Sequence, residues 1–220
     1  MTAAGVDRAP GSRAAARGRG PAGAGALRLA ALHAASRQVL TCLLVLAGCA
    51  VALRTALHWL PRSGVYSRQV PLTIEAGAAA VIGVATRSPF GEPERAAGRW
   101  LPFLRLGSGL ALVLAAGFAL AAGSASAHLA GGTAGMVRDT AGFTGIALLT
   151  AVLAGGALAW IGPVAYLGIA TPALGAGWTT PWIWPARPPH DRGAAICAAV
   201  VFCVGIAAIT LRGARDSVRE

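Results

Sequence analysis

Val70-Pro71-Leu72-Thr73-Ile74-Glu75-Ala76-Gly77-Ala78-Ala79-Ala80-Val81-Ile82-Gly83-Val84-Ala85-Thr86 sets one carboxylate, Glu75, in the middle of an apolar run. At least five other long apolar runs flank it, several close to the 20 residues that match the thickness of the hydrocarbon layer. With 55% hydrophobic residues in a chain of 220 and a mean hydropathy of +0.62, the apolar surface exceeds what a soluble domain can bury. In lipid every backbone amide must be satisfied internally, so such runs read as helices. The expected class is an all-α, polytopic membrane protein with about six transmembrane helices.

The formal net charge is +11, yet the arginines are spread over the leader and the segments between apolar runs. No continuous basic surface results, which argues against a nucleic-acid partner and leaves the lipid bilayer as the expected one. Lysine is absent, and Ala, Gly and Arg are heavily used. This looks like the composition of a GC-rich genome such as an actinobacterium's, a codon bias with no functional content. Cys42 and Cys49 fall in one run and Cys197 and Cys203 in another; neither pair has CxxC spacing, and thiols at membrane depth act as small apolar residues. No metal site and no cofactor are expected.

Residues 1–25, with Arg8, Arg13, Arg17, Arg19, Pro10 and Pro21, read as a disordered basic tail. Residues 26–212 form the membrane domain, introduced by a short helical segment over 26–37, and residues 213–220 a short cytoplasmic tail. The six spans are predicted at 39–60, 70–86, 101–122, 141–158, a shorter fifth ending near 176, and 194–211. Gly123 to Met136 reads as a flexible outer loop containing His128, with Arg138-Asp139 opening the fourth span. Trp160 and Pro163 read as a tight turn, although Gly155, Gly156 and Gly162 also fit a single broken, re-entrant unit in place of the fourth and fifth spans. Gly142, Gly145, Gly155 and Gly156 suit close helix packing, within the subunit or against a second copy, or simply reflect the composition.

With the N-terminus inside, thirteen arginines fall on cytoplasmic segments and six on outer ones, which places both termini in the cytoplasm. Trp59, Trp178, Trp182 and Trp184 then mark the outer interface, and Trp100 and Trp160 the inner one. No leader cleavage site is visible, and a bacterial plasma membrane is the expected location.

An ionised, unpaired Glu75 fully inserted in a membrane costs about 2–3 kcal/mol or more. It is expected to face a polar cavity, to be protonated, or to pair with Arg68, Arg54 or Arg138. A structural ion pair and a residue of a translocation path are both open, while a proton relay is disfavoured because no other acid is expected within a span. Enzyme signatures are missing: no HExxH helix, no Walker phosphate loop, no pair of acids buried together, and Leu106-Gly107-Ser108-Gly109 lacks the first glycine of an intramembrane serine protease motif. The chain is expected to catalyse nothing itself.

Between the second and third spans lies Phe90-Gly91-Glu92-Pro93-Glu94-Arg95-Ala96-Ala97-Gly98. Its aromatic, Glu-Arg and Gly pattern resembles the first cytoplasmic loop of ABC type-2 permeases, the membrane subunits of ATP-driven exporters. The resemblance implies a separate ABC ATPase subunit as partner, with Phe90, Glu92, Glu94, Arg95 and Gly98 forming the coupling loop. It also implies a homodimer, or a heterodimer with a related permease, and partly re-entrant helices within Pro163 to Arg192. Export of a small molecule, lipid or peptide would follow. A non-transporting anchor or assembly protein, and a proton-coupled carrier using Glu75, are the alternatives.

Overall fold

The computed structural model describes residues 39–59, 66–87, 101–125, 132–178 and 180–214. The chain divides into a unit spanning 1–33, outside the described residues, and a second unit that holds every helix discussed below. The basic tail and the coupling loop both lie outside the described residues.

Among the described residues six α-helices follow one another: α1 (Val39–Trp59), α2 (Tyr66–Ala85), α3 (Leu101–Ser124), α4 (Gly132–Ala154), α5 (Ile161–Ala176) and α6 (Arg192–Arg212). No strand occurs among the described residues. Five stretches of the described residues are long and apolar enough to cross a membrane: Leu40–Trp59, Arg105–Ser124, Gly132–Ala154, Gly156–Ala176 and Arg192–Arg212. α2 is not one of them. Ser67, Arg68, Gln69 and Glu75 lower its hydropathy, although nine of its residues are buried.

α2 and α4 form the centre of the bundle. α1 and α3 pack on one side of α2, while α5 and α6 pack against α4. Within α4's apolar window 61% of residues are buried in the protein, against 17–22% in the other four spans. α4 is therefore a core helix, and the other four turn most of their apolar surface outward. Leu44, Leu114, Phe118, Ile196 and Leu211 are among the large apolar side chains so exposed, a surface that suits lipid and not water.

Two apolar clusters fix α2 in place. Leu46 and Leu53 of α1 meet Ala78 and Ile82 of α2 and Leu112 and Leu120 of α3. On the other face Leu72, Ala76 and Ala79 meet Phe143 of α4 and Tyr166, Leu167 and Leu174 of α5. Cys42 and Cys49 are free thiols packed against the first cluster, as small apolar side chains.

Glycines set the closest crossing, within the subunit. A Cβ on Gly145 of α4 would stand 2.6 Å from the backbone of Val201 and Phe202, and one on Gly205 of α6 would stand 2.7 Å from the Gly145 carbonyl. The two backbones touch because neither residue has a side chain.

Three boundaries depart from those expected. α4 starts at Gly132 and not at Ala141, because nothing from Gly132 to Val137 interrupts a helix, so Arg138-Asp139 lies in its second turn. The fourth and fifth spans are two helices, as the six-span count had them, but the break falls earlier than expected, at Gly155 with φ 99°, and a 3-10 turn at Gly156–Leu158 leads into α5. Pro163 is no turn residue; it sits in the first turn of α5, where its missing N–H costs no helical bond. Of Pro163 to Arg192, residues 163–176 belong to α5, and the described part of 177–191 holds a single 3-10 turn, Trp184–Ala186, since Gly177 in the left-handed region ends α5 and four prolines follow before α6.

The helix ends gather. Gly213, after α6, lies against the Arg105 guanidinium near the start of α3, and Gly156 lies against Arg87 at the end of α2. The α2–α3 connection therefore leaves and re-enters the bundle at the end where α6 finishes.

Candidate functional site

The opposite end of the bundle contains the polar centre. Glu75, Arg138 and Asp139 are 3%, 7% and 7% exposed, and α2 and α4 bring them together. Arg138 donates from Nε to Asp139 Oδ1 at 2.9 Å, from Nη1 to the Pro188 carbonyl at 2.8 Å and from Nη2 to the Arg187 carbonyl at 3.4 Å. One guanidinium thus ties α4 to the segment that precedes α6. Its planar fork suits this, because several acceptors at fixed angles are met by one rigid group.

Glu75 is treated differently. Its Oε2 is buried and has no hydrogen-bond partner, although it lies in the fields of both Asp139 and Arg138. A cleft of about 30 Å³, bordered by Ser67, Arg68, Glu75, Met136, Asp139 and Pro185, reaches it. That is room for one or two water molecules. Arg68 shares the cleft and acts on Asp139, whereas Arg54 is exposed on α1 and does not border it.

The 177–191 segment covers this end through aromatic contacts. Tyr166 of α5 stacks on Trp184, with ring centroids 4.5 Å apart at 25°, and meets Phe143 edge-on at 5.6 Å. The Tyr166 hydroxyl donates to the Trp182 carbonyl at 2.7 Å. The Trp184 ring lies over Gly142, where a Cβ would stand 2.5 Å from Cε2. At the far end of the segment, Asp191 caps α6: its Oδ1 accepts the Ala194 N–H at 2.8 Å, and its Oδ2 accepts from Arg187 Nε at 3.0 Å and from Nη2. The Ala194 amide, aided by Arg187, holds the Asp191 carboxyl below the usual carboxylate range.

Of the residues singled out from sequence, Glu75 belongs to this cluster, with Arg138 and Arg68 as its near cations. Phe90, Glu92, Glu94, Arg95 and Gly98 lie outside the described residues, as does His128. Two expectations are corrected by Asp139, which is a second acid within a helix and is buried beside Glu75. The late start assigned to the fourth span had put it at an interface. The unbroken helical stretch before it, and the spacing of Asp139, Phe143 and Ala147 along one face of α4, were the signals that reveal its depth. Among the described residues, no group of three or more His, Cys, Asp or Glu side chains is placed to hold a metal ion. The arrangement can bind a small polar species at Glu75 and hold the 177–191 segment through Arg138. No protein-family model matches the chain, and no curated protein or solved structure matches it either.

Proposed function

We propose that this chain is the membrane-spanning permease subunit of an ATP-driven exporter in a bacterial plasma membrane. All six helices cross in this reading, α2 included, with both termini in the cytoplasm. α2 crosses because its buried acid, Glu75, and its Ser67 and Arg68 border the cleft against α4.

The observation that carries the reading is the gathering of helix ends at one end of the bundle. Because Arg87 lies against Gly156 and Arg105 against Gly213, α2 ends and α3 begins beside the end of α6, and Phe90, Glu92, Glu94, Arg95 and Gly98 belong to the sequence that joins these two ends. A cytoplasmic ATPase would meet the bundle there. ATP-driven closure of two such partners would be transmitted into α2 and α3, the two helices that flank the connection, and α2 packs directly on the central α4. A pathway built by two copies, or by this chain and a related permease, needs an interface that packs in two states. The exported compound is a small molecule, lipid or peptide.

The test is purification of the full chain from its native membranes in mild detergent, followed by identification of co-eluting proteins and an ATPase assay. A stoichiometric ATPase subunit that is lost when Glu92, Glu94 and Arg95 are all replaced by alanine is the expected result. Its repeated absence, with the chain folded, replaces the permease reading with a non-transporting membrane anchor.

A further inference from the structure

Among the described residues the buried acids are Glu75 and Asp139, and their surroundings are unequal. Asp139 accepts Nε of Arg138 and feels Arg68 as well. The remaining Arg138 nitrogens are directed to the Pro188 and Arg187 carbonyls. Among the described residues no element supplies a donor to Glu75 Oε2. Among the described residues, Asp139 and Arg138 of α4 act on Glu75. On α5, Tyr166 gives its hydroxyl proton to Trp182. In the covering segment, Arg187 and Asp191 pair with each other, and His190 is exposed. An unpartnered carboxylate oxygen, buried at the edge of a space sized for water, remains.

A carboxylate in that position is stabilised either by a coordinated cation or by a proton. An alkali-metal ion needs several oxygen ligands. The side chains around the cleft offer the Glu75 and Asp139 carboxylates and the Ser67 hydroxyl, and two guanidinium groups stand against a bare metal charge. A proton needs one oxygen only.

We propose that Glu75 is a proton-exchange site that takes up and releases one proton through the α2–α4 cleft. In uptake, a hydronium ion in the cleft transfers its proton to Oε2; an O–H bond forms there and a water molecule is left behind. Release is the reverse, to a water in the same space. Arg138 keeps its bonds to Asp139 and to the Pro188 and Arg187 carbonyls, so the covering segment stays tied to α4 while the charge facing α2 changes. This site does not rest on the ATPase reading, because every group in it belongs to the described part of this chain.

Difference infrared spectra of the purified full-length protein, recorded over a pH series in which it stays folded, test the site directly. The carbonyl stretch of a protonated carboxylic acid is expected to appear and disappear with pH, to shift in deuterium oxide, and to be lost in Glu75→Gln. Because Glu75→Gln keeps the size of the side chain and removes only the ionisable oxygen, it is expected to match wild type in Tm. A wild-type spectrum without such a band at any pH overturns the proposal, whatever the variant does. So does a band that survives in Glu75→Gln. A response of wild-type Tm to sodium chloride but not to choline chloride, absent in Glu75→Gln, overturns it in favour of an alkali-metal ion.

Discussion

Arg138 holds more of this molecule together than any other single side chain described here, since it joins Asp139 to two carbonyls nearly fifty residues away. Replacing it by methionine leaves Asp139 buried without its partner and two carbonyls without a donor. The expected loss is about 3–5 kcal/mol, read by thermal or denaturant unfolding in detergent. Arg138→Met/Asp139→Leu, which removes both charges, is expected to lose less than Arg138→Met alone, and an equal or greater loss would mean the pair is not the relevant unit. Asp191 gives a prediction of opposite accessibility, at the water-facing start of α6. Its folded carboxyl titrates below its unfolded value of about 3.9. Its contribution to stability is therefore complete above about pH 4 and is lost as the pH falls through the folded value. The Tm difference between wild type and Asp191→Asn should shrink on acidification below about pH 4; a difference that does not vary with pH contradicts this. At this scale Glu75 was legible, because an acid within an apolar run stands out in any reading. Asp139 was not, because its depth depends on where α4 begins, and no cap residue marks that point.

The helices were legible to within a few residues where a charged or proline-bearing segment bounds an apolar run, as for α1, α3 and α6. They were misread where the connecting residues are small and uncharged, since glycine- and alanine-rich sequence fits a loop and a helix almost equally well. The start of α4 falls in such sequence, and so does the break at Gly155, where two helices were expected and only the position of the break was a few residues off. Packing, invisible in the sequence, decides between the two. Gly145 tests this for the α4–α6 crossing. Gly145→Ala would drive a methyl group into the Val201 and Phe202 backbone, with an expected loss of about 1–3 kcal/mol. Gly117→Ala on α3 meets nothing within 4 Å, and is expected to be neutral or to gain up to about 1 kcal/mol of helix propensity. Equal effects of the two substitutions on Tm would show that the crossing does not depend on the missing side chain.

For the molecule as a whole, composition and run length were enough to identify a helical bundle for a membrane. They could not show that α2, the least apolar helix, is central. Its place follows from pairing: Glu75 and Arg68 face α4 and the cleft, while Leu72, Ala76, Ala79 and Ile82 fill the apolar clusters on its other sides. In the proposed topology, a helix that would be poor at crossing alone is carried by its neighbours. The proposed six-span topology, and with it the position of the Phe90 to Gly98 connection, depends on α2 crossing. The most direct measurement is labelling of single cysteines at its two ends by a membrane-impermeant maleimide, in a background where Cys42, Cys49, Cys197 and Cys203 are replaced by alanine. Tyr66 and Arg87 are both exposed at those ends. Tyr66→Cys is predicted to label in intact cells, and Arg87→Cys only after permeabilisation; labelling of both from the same side would contradict a membrane-crossing α2.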